Sequence, residues 1–146
     1  MITFDVYGIP GPQGSKSAKG RSKKTGKIIM IESSAKVKPW REAVKWAAIQ
    51  ARNGAAPLDC PLIARMVFTL PKPASAPKRR RTWPDKKPDV SKLARSTEDA
   101  LTDAGLIKDD ARIVGYSRLE KVYPNEDPEA LDCPGVRITI TTKGEE

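Results

Sequence analysis

The sequence predicts a small single α+β domain: a mixed sheet with two helices packed on it, its elements in the order β-α-β-α-β-β. Three observations carry this prediction. The chain has 146 residues, enough for one domain with a real core. Apolar residues recur first with period two, then with helical spacing, in alternation along the chain. Glycine and proline clusters separate these stretches.

Ile2, Phe4 and Val6 alternate with Thr3, Asp5 and Tyr7, which predicts a strand with one buried face and not a signal peptide. Gly8-Ile9-Pro10-Gly11-Pro12 ends it. From Gly14 to Lys27 the chain has neither a large apolar residue nor an acid, so residues 14–27 read as a mobile basic loop. Val37, Trp40, Val44, Ala47 and Ala48 predict a helix over 37–51, stopped by Asn53-Gly54. The two tryptophans in it, Trp40 and Trp46, read as packing or rim residues. Leu62 to Leu70 is apolar enough for a central strand. Residues 71–88 form a proline-rich basic linker, kept out of the sheet by its prolines. Leu93, Thr97, Ala100, Leu101 and Ala104 mark the buried stripe of a second helix, 91–104, closed by Gly105 and Leu106. Ile113 to Val122 and Val136 to Ile140 read as a final pair of strands around an acidic loop, and residues 142–146 as a frayed tail.

The formal charge is +9 and the pI about 9.7. A clustered positive charge favours a polyanionic partner, nucleic acid before an anionic membrane surface. Lys16, Lys19, Arg21, Lys23, Lys24 and Lys27 in the first loop are candidate phosphate contacts, as are Lys78, Arg79, Arg80 and Arg81 in the linker and Lys92 on the second helix. A charge run is equally the pattern of a solvated face. There are no histidines, which excludes a Ser-His-Asp triad, a Cys-His pair and HExxH zinc chemistry. Cys60 and Cys133 form no metal motif and are expected as free, partly buried thiols of a reducing compartment. No apolar run is long enough to span a membrane.

Within this basic chain, acids gather at two points, Asp89 and Asp109-Asp110. Phosphodiester hydrolysis uses a metal to neutralise developing charge and activate water, and Mg²⁺ binds through a few carboxylates plus water and phosphate. Mn²⁺ would suit the same oxygen donors. In an extended stretch, residues 89 and 91 point the same way. Carboxylates at both would form a clamp, but residue 91 is serine, a weak neutral ligand and equally an N-cap for the helix. On the helix, Ser91, Arg95, Glu98 and Thr102 share one face. Arg95 is a candidate for phosphate charge, and Glu98 for returning the charge lost at Ser91. The same face could instead be a solvated surface laced by Arg95–Glu98 and Lys92–Asp99 ion pairs. Asp pairs such as Asp109-Asp110 also commonly make turns.

Lys87-Pro88-Asp89-Val90-Ser91-Lys92-Leu93, then Asp99-Ala100-Leu101, Ala104-Gly105 and Asp109-Asp110-Ala111, resemble the core of RusA-type Holliday junction resolvases over about residues 86–116. Gly8-Ile9-Pro10-Gly11-Pro12-Gln13-Gly14 and Trp40-Arg41 are similar to phage-type members. The resemblance implies a homodimeric, Mg²⁺-dependent endonuclease that resolves four-way DNA junctions with paired nicks, with no small-molecule cofactor. It implies the cytoplasm of a bacterial cell or a phage-infected host. By position, Asp89 would be the first catalytic carboxylate and Asp110 the last, with Asp109 beside it. Arg95 stands where the family carries a lysine, and a planar guanidinium is not a point charge. Ser91 stands where the family usually carries an aspartate. That departure supports an alternative, a weakened or inactive junction-binding protein. A basic RNA-binding protein is a third reading, disfavoured by the few aromatics available for stacking.

Overall fold

The computed structural model describes residues 1–14 and 35–146 in full, and Lys16–Arg21 and Ile28–Glu32 as backbone strands. The main sheet has four strands: β1 (Ile2–Tyr7), β4 (Leu62–Thr69), β5 (Ile113–Val122) and β6 (Gly135–Thr142), in the spatial order β1-β6-β4-β5. β6 runs antiparallel to β1 and β4, whereas β4 and β5 are parallel. The sheet is therefore mixed, and α1 (Val37–Arg52) and α2 (Val90–Asp103) complete the predicted element order.

The parallel pair explains the path of the chain. Parallel neighbours need a long crossover, and here residues 71–88 and α2 supply it. The last two strands, expected as a pair, are not neighbours: β4 lies between them. Both satisfy the same alternating pattern, and the pattern says nothing about the partner. β4 is central as expected, with Leu62, Ala64, Met66, Val67 and Phe68 fully buried.

Both helices contribute to the core formed on one face of the sheet. Trp40, Val44 and Ala48 of α1 and Leu93, Ala100 and Leu101 of α2 join Met66, Phe68, Ile138 and Ile140. Trp40 is a packing residue: its indole N–H donates to Thr97 Oγ1 at 3.2 Å, and its ring meets Phe68 at 6.5 Å. Intervening β-strand residues turn outward, where Arg65 meets Glu129 and Arg137 meets Asp5.

α1 stops as predicted, with Asn53 (φ 46°) and Gly54 (φ 77°) in the left-handed region. α2 ends in a Schellman closure: Gly105 (φ 74°) donates to the Thr102 carbonyl at 3.0 Å and Leu106 to the Leu101 carbonyl at 3.1 Å.

Three further readings are corrected. Part of the expected basic loop is strand: β2 (Lys16–Arg21) pairs antiparallel with β3 (Ile28–Glu32) in a separate two-stranded ribbon. Residues 22–27 lie outside the described residues. The expected frayed tail begins later, because β6 includes Thr142 and the Lys143 N–H bonds the Pro61 carbonyl at 2.9 Å. Cys60 and Cys133 are free, but Cys133 is exposed. Among the described residues, no helix is long and apolar enough to cross a membrane.

Candidate active site

α2 carries acids at both ends. It begins at Val90, one residue earlier than expected, so Asp89 and not Ser91 occupies the N-cap position. Asp89 is extended, exposed, and makes no capping bond; its nearest cation is Lys92 at 3.4 Å. Ser91 is exposed in the first turn, its hydroxyl pointing to no carboxylate among the described residues. Arg95 is exposed one turn on and makes no ion pair among the described residues. The expected Arg95–Glu98 and Lys92–Asp99 pairs are absent: Lys92 meets Asp89, and Glu98 accepts from the Tyr116 hydroxyl.

The C-terminal half of α2 gathers a different set. Asp110 opens a single turn of 3₁₀ helix, Asp110–Arg112, directly after the helix closure. Thr102 Oγ1 donates to Asp110 Oδ1, and Asp99 stands within hydrogen-bonding reach of the same carboxyl. Gln13, from the strap that follows β1, donates through Nε2 to Asp99 Oδ2 at 2.6 Å. That strap is fixed by three contacts. The Gln13 N–H donates to the Lys92 carbonyl at 3.0 Å, and Ser96 Oγ donates to the Gly11 carbonyl at 2.6 Å. Gly11 packs so closely on Lys36 that a Cβ would lie 2.3 Å from its carbonyl oxygen.

The electrostatics follow from this crowding. Burial raises the Glu98 carboxyl, the Tyr116 hydroxyl bond opposes the rise, and the Asp99 charge adds to it. Asp110 is pushed up to about 6, first by burial, with the Thr102 bond opposing and Asp99 and Glu98 both adding. Tyr116 is raised in turn, by burial and by Glu98. No Lys or Arg answers these three acids among the described residues. Asp109, by contrast, is an exposed cap whose Oδ1 accepts from the Ala111 N–H at 2.8 Å.

Asp89 and Asp110 are not brought together within one chain. Ten residues of α2 separate Asp89 from Asp99, about 15 Å of helix. Among the described residues no three acids converge closely enough to hold a metal ion. Asp99 and Asp110 do approach each other, and two carboxylates completed by water and a phosphate are a sufficient donor set for Mg²⁺.

Of the basic candidates, Lys78, Arg79 and Arg80 are exposed, without ion pairs among the described residues. Arg81 is claimed by the protein itself: it meets Asp127 at 2.8 Å, a carboxylate only 4% exposed. The sequence offered Arg81 to DNA on the same footing as its neighbours; the acidic loop takes up its charge. Lys92 stays exposed beside Asp89. Lys16, Lys19 and Arg21 sit on the β2 backbone, and their side chains, with Lys23, Lys24 and Lys27, lie outside the described residues.

Four residues of the acidic cluster were given no role by the sequence: Gln13, Asp99, Thr102 and Tyr116. Asp99 carried a signal, in the Asp99-Ala100-Leu101 motif. Tyr116 carried none, because nothing local links it to Glu98.

The family model for endodeoxyribonuclease RusA matches residues 10–141 of the 146. A search of the curated proteins finds no match. The match takes in both helices, the acidic turn after α2 and three of the four strands of the sheet, and the chain therefore belongs to the RusA endodeoxyribonuclease family.

Proposed function

We propose that this protein resolves four-way DNA junctions, as a homodimer, by Mg²⁺-dependent hydrolysis that leaves paired nicks. The observation that carries the reading is the Asp99–Asp110 pair: close carboxylates, backed by Glu98, with no cation beside them among the described residues, in a chain of net charge +9. Such a pair is poised for a cation. Asp99 and Asp110 would hold Mg²⁺, which when bound supplies charge neutralisation and an activated water.

The chain's own groups set the stage for that chemistry. Gln13 and Thr102 each fix one carboxylate by a hydrogen bond, and Tyr116 fixes Glu98. Arg95, exposed and without an ion pair among the described residues, meets the scissile phosphate. Lys78, Arg79 and Arg80 grip flanking phosphates, which makes binding steeply salt-dependent. Within one chain Glu98 lies about 10 Å along α2 from Ser91 and supports the Asp99–Asp110 end.

In the dimer, Asp89 of one protomer joins Asp110 of the other, which reconciles their separation along a single helix. A two-fold axis suits a substrate that needs symmetric cuts. Complementation tests this arrangement. Mixing Asp89→Asn with Asp110→Asn protein leaves one shared site with both aspartates, so single-strand nicking returns. If each chain held its own complete site, every site in the mixture would be damaged and no nicking would return.

Ser91 favours a second reading, a junction binder that does not cut, because no carboxylate among the described residues reaches its place. The deciding experiment is nicking of an end-labelled four-way junction with Mg²⁺ by the parent, Ser91→Asp and Asp110→Asn. Cutting by the parent that Asp110→Asn abolishes supports the enzyme. Binding without cutting, with cutting gained in Ser91→Asp alone, supports the binder.

A further inference from the structure

The crossover from β4 to α2 carries one large ring in the open. Trp83 is 57% exposed, in a segment otherwise dominated by charge, proline and small residues. The ring is nonetheless firmly mounted. The Arg81 guanidinium lies over the indole, 4.7 Å from the ring centre. Arg81 is anchored to Asp127 at 2.8 Å, and Asp127 is gripped from the other side by Arg118 at 2.7 Å. Between Arg81 and Trp83, the Thr82 N–H donates to Glu126 Oε1 at 3.0 Å, and Glu126 is itself held by Lys72 at 2.5 Å.

The mount therefore has a fixed backbone, a cation behind the ring, and aromatic surface left to solvent. Lys78, Arg79 and Arg80, exposed, line one side of an open hollow of about 520 Å³ beside it. The carboxylates on the opposite side, Glu126 and Asp127, are neutralised by Lys72, Arg81 and Arg118. An anion entering the hollow meets net positive charge.

We propose that Trp83 is a stacking platform for an unstacked nucleobase of the DNA substrate, with Arg81 as its backing and Lys78–Arg80 holding the adjoining phosphates. A flat ring supported by a guanidinium beside exposed cations is the chemistry that recognises a nucleotide with a free base face. Bases inside a continuous duplex have no free face, whereas bases at a branch point do. The platform thus favours branched over linear DNA by a contact to a base, beyond what the phosphate contacts read. The proposal rests on the DNA-junction reading and deepens it.

Tryptophan fluorescence tests it. Trp40 is buried and Trp46 is 63% exposed, so Trp46→Phe leaves Trp83 as the one exposed indole. That variant is titrated in EDTA with a four-way junction and with a fully paired duplex, while anisotropy of labelled DNA reports binding independently. The junction is expected to quench the emission and the duplex to leave it nearly unchanged. Adding Trp83→Phe removes the quench. Trp83→Ala weakens junction binding about 10-fold, the loss of one stacked base, and leaves the salt slope unchanged. Trp83→Tyr restores affinity. Alanines at Lys78, Arg79 and Arg80 lower the salt slope instead.

Junction binding by anisotropy with silent indole emission, or with full affinity in Trp83→Ala, overturns the platform and leaves the DNA reading standing. So does an indole already shielded from acrylamide in the free protein, which would mark Trp83 as covered by a second copy. Failure to bind either DNA overturns both.

Discussion

Two clusters of carboxylates lie in this small domain, and the protein treats them in opposite ways. At the C-terminal end of α2, Glu98, Asp99 and Asp110 crowd together with hydroxyl and amide donors but, among the described residues, no cation, and the Glu98 and Asp110 carboxyls are raised. In the loop after β5, Glu126, Asp127 and Glu129 each meet a Lys or Arg, and all three are lowered. Asp127 is held furthest down, chiefly by Arg118. The residue types are the same, and the loop is as acidic in sequence as the helix end. What differs is whether the described residues supply the compensating charge. Where they do, the acids bind the Pro71–Pro88 segment to the sheet. Where they do not, a local charge conflict is left that an external cation can relieve.

Asp110→Asn tests the contrast most severely. Nicking is expected to fall by about 100-fold or more. Stability should move the other way. Folded Asp110 holds its proton to about 6, above the ordinary aspartate value, so between roughly pH 4 and 6 the folded state binds more protons than the unfolded one. Stability from this group therefore falls as pH rises through that window. The neutral amide escapes the penalty, gaining on the order of 1 kcal/mol at pH 7 after solvent screening, and nothing near pH 4. Urea melts at the two pH values measure it. A variant less stable than the parent at pH 7 would contradict the charge conflict.

Asp127→Asn should do the reverse. It leaves Arg118 with fewer partners and releases Arg81, at a cost of about 2 kcal/mol, less than for a fully buried pair because Glu129 still faces Arg118 at 3.2 Å. The folded variant keeps cutting. Because Asp127 is lowered in the fold, its contribution is present above the unfolded carboxylate range and lost as pH falls below it. The acid limb of the stability curve should thus be shallower in Asp127→Asn. An unchanged limb would mean that the ion pairs carry no net stability.

Adding Mg²⁺ sharpens the comparison from the ligand side. Millimolar Mg²⁺ should raise the parent's Tm by a few degrees at pH 7, through binding to the folded state alone. Asp99→Asn and Asp110→Asn should lose the rise, while Asp127→Asn keeps it. An equal rise in all four proteins would place the cation elsewhere.

The smallest effect is expected from Tyr116→Phe. Removing the hydroxyl takes away the bond that holds Glu98 down, so the Glu98 carboxyl should titrate still higher. Carboxyl NMR titration reads this directly, and a Glu98 that titrates lower would show that the bond stabilises the protonated form.

Local pattern alone determined much of this protein. The alternation in Ile2–Tyr7, the helical stripes of α1 and α2, and the stops at Asn53-Gly54 and Gly105 were legible because each depends on backbone geometry within a few residues. So were the spaced motifs that point to the RusA family. The β2–β3 ribbon was missed because Lys16–Arg21 has no apolar alternation, and its pairing is with Ile28–Glu32 further along the chain. The insertion of β6 between β1 and β4, the reach of Gln13 to Asp99, and the capture of Arg81 by Asp127 were decided only in three dimensions. Periodicity fixes which face of an element is buried. It does not fix what stands opposite, and desolvation, charge pairing and pKa depend on that neighbour.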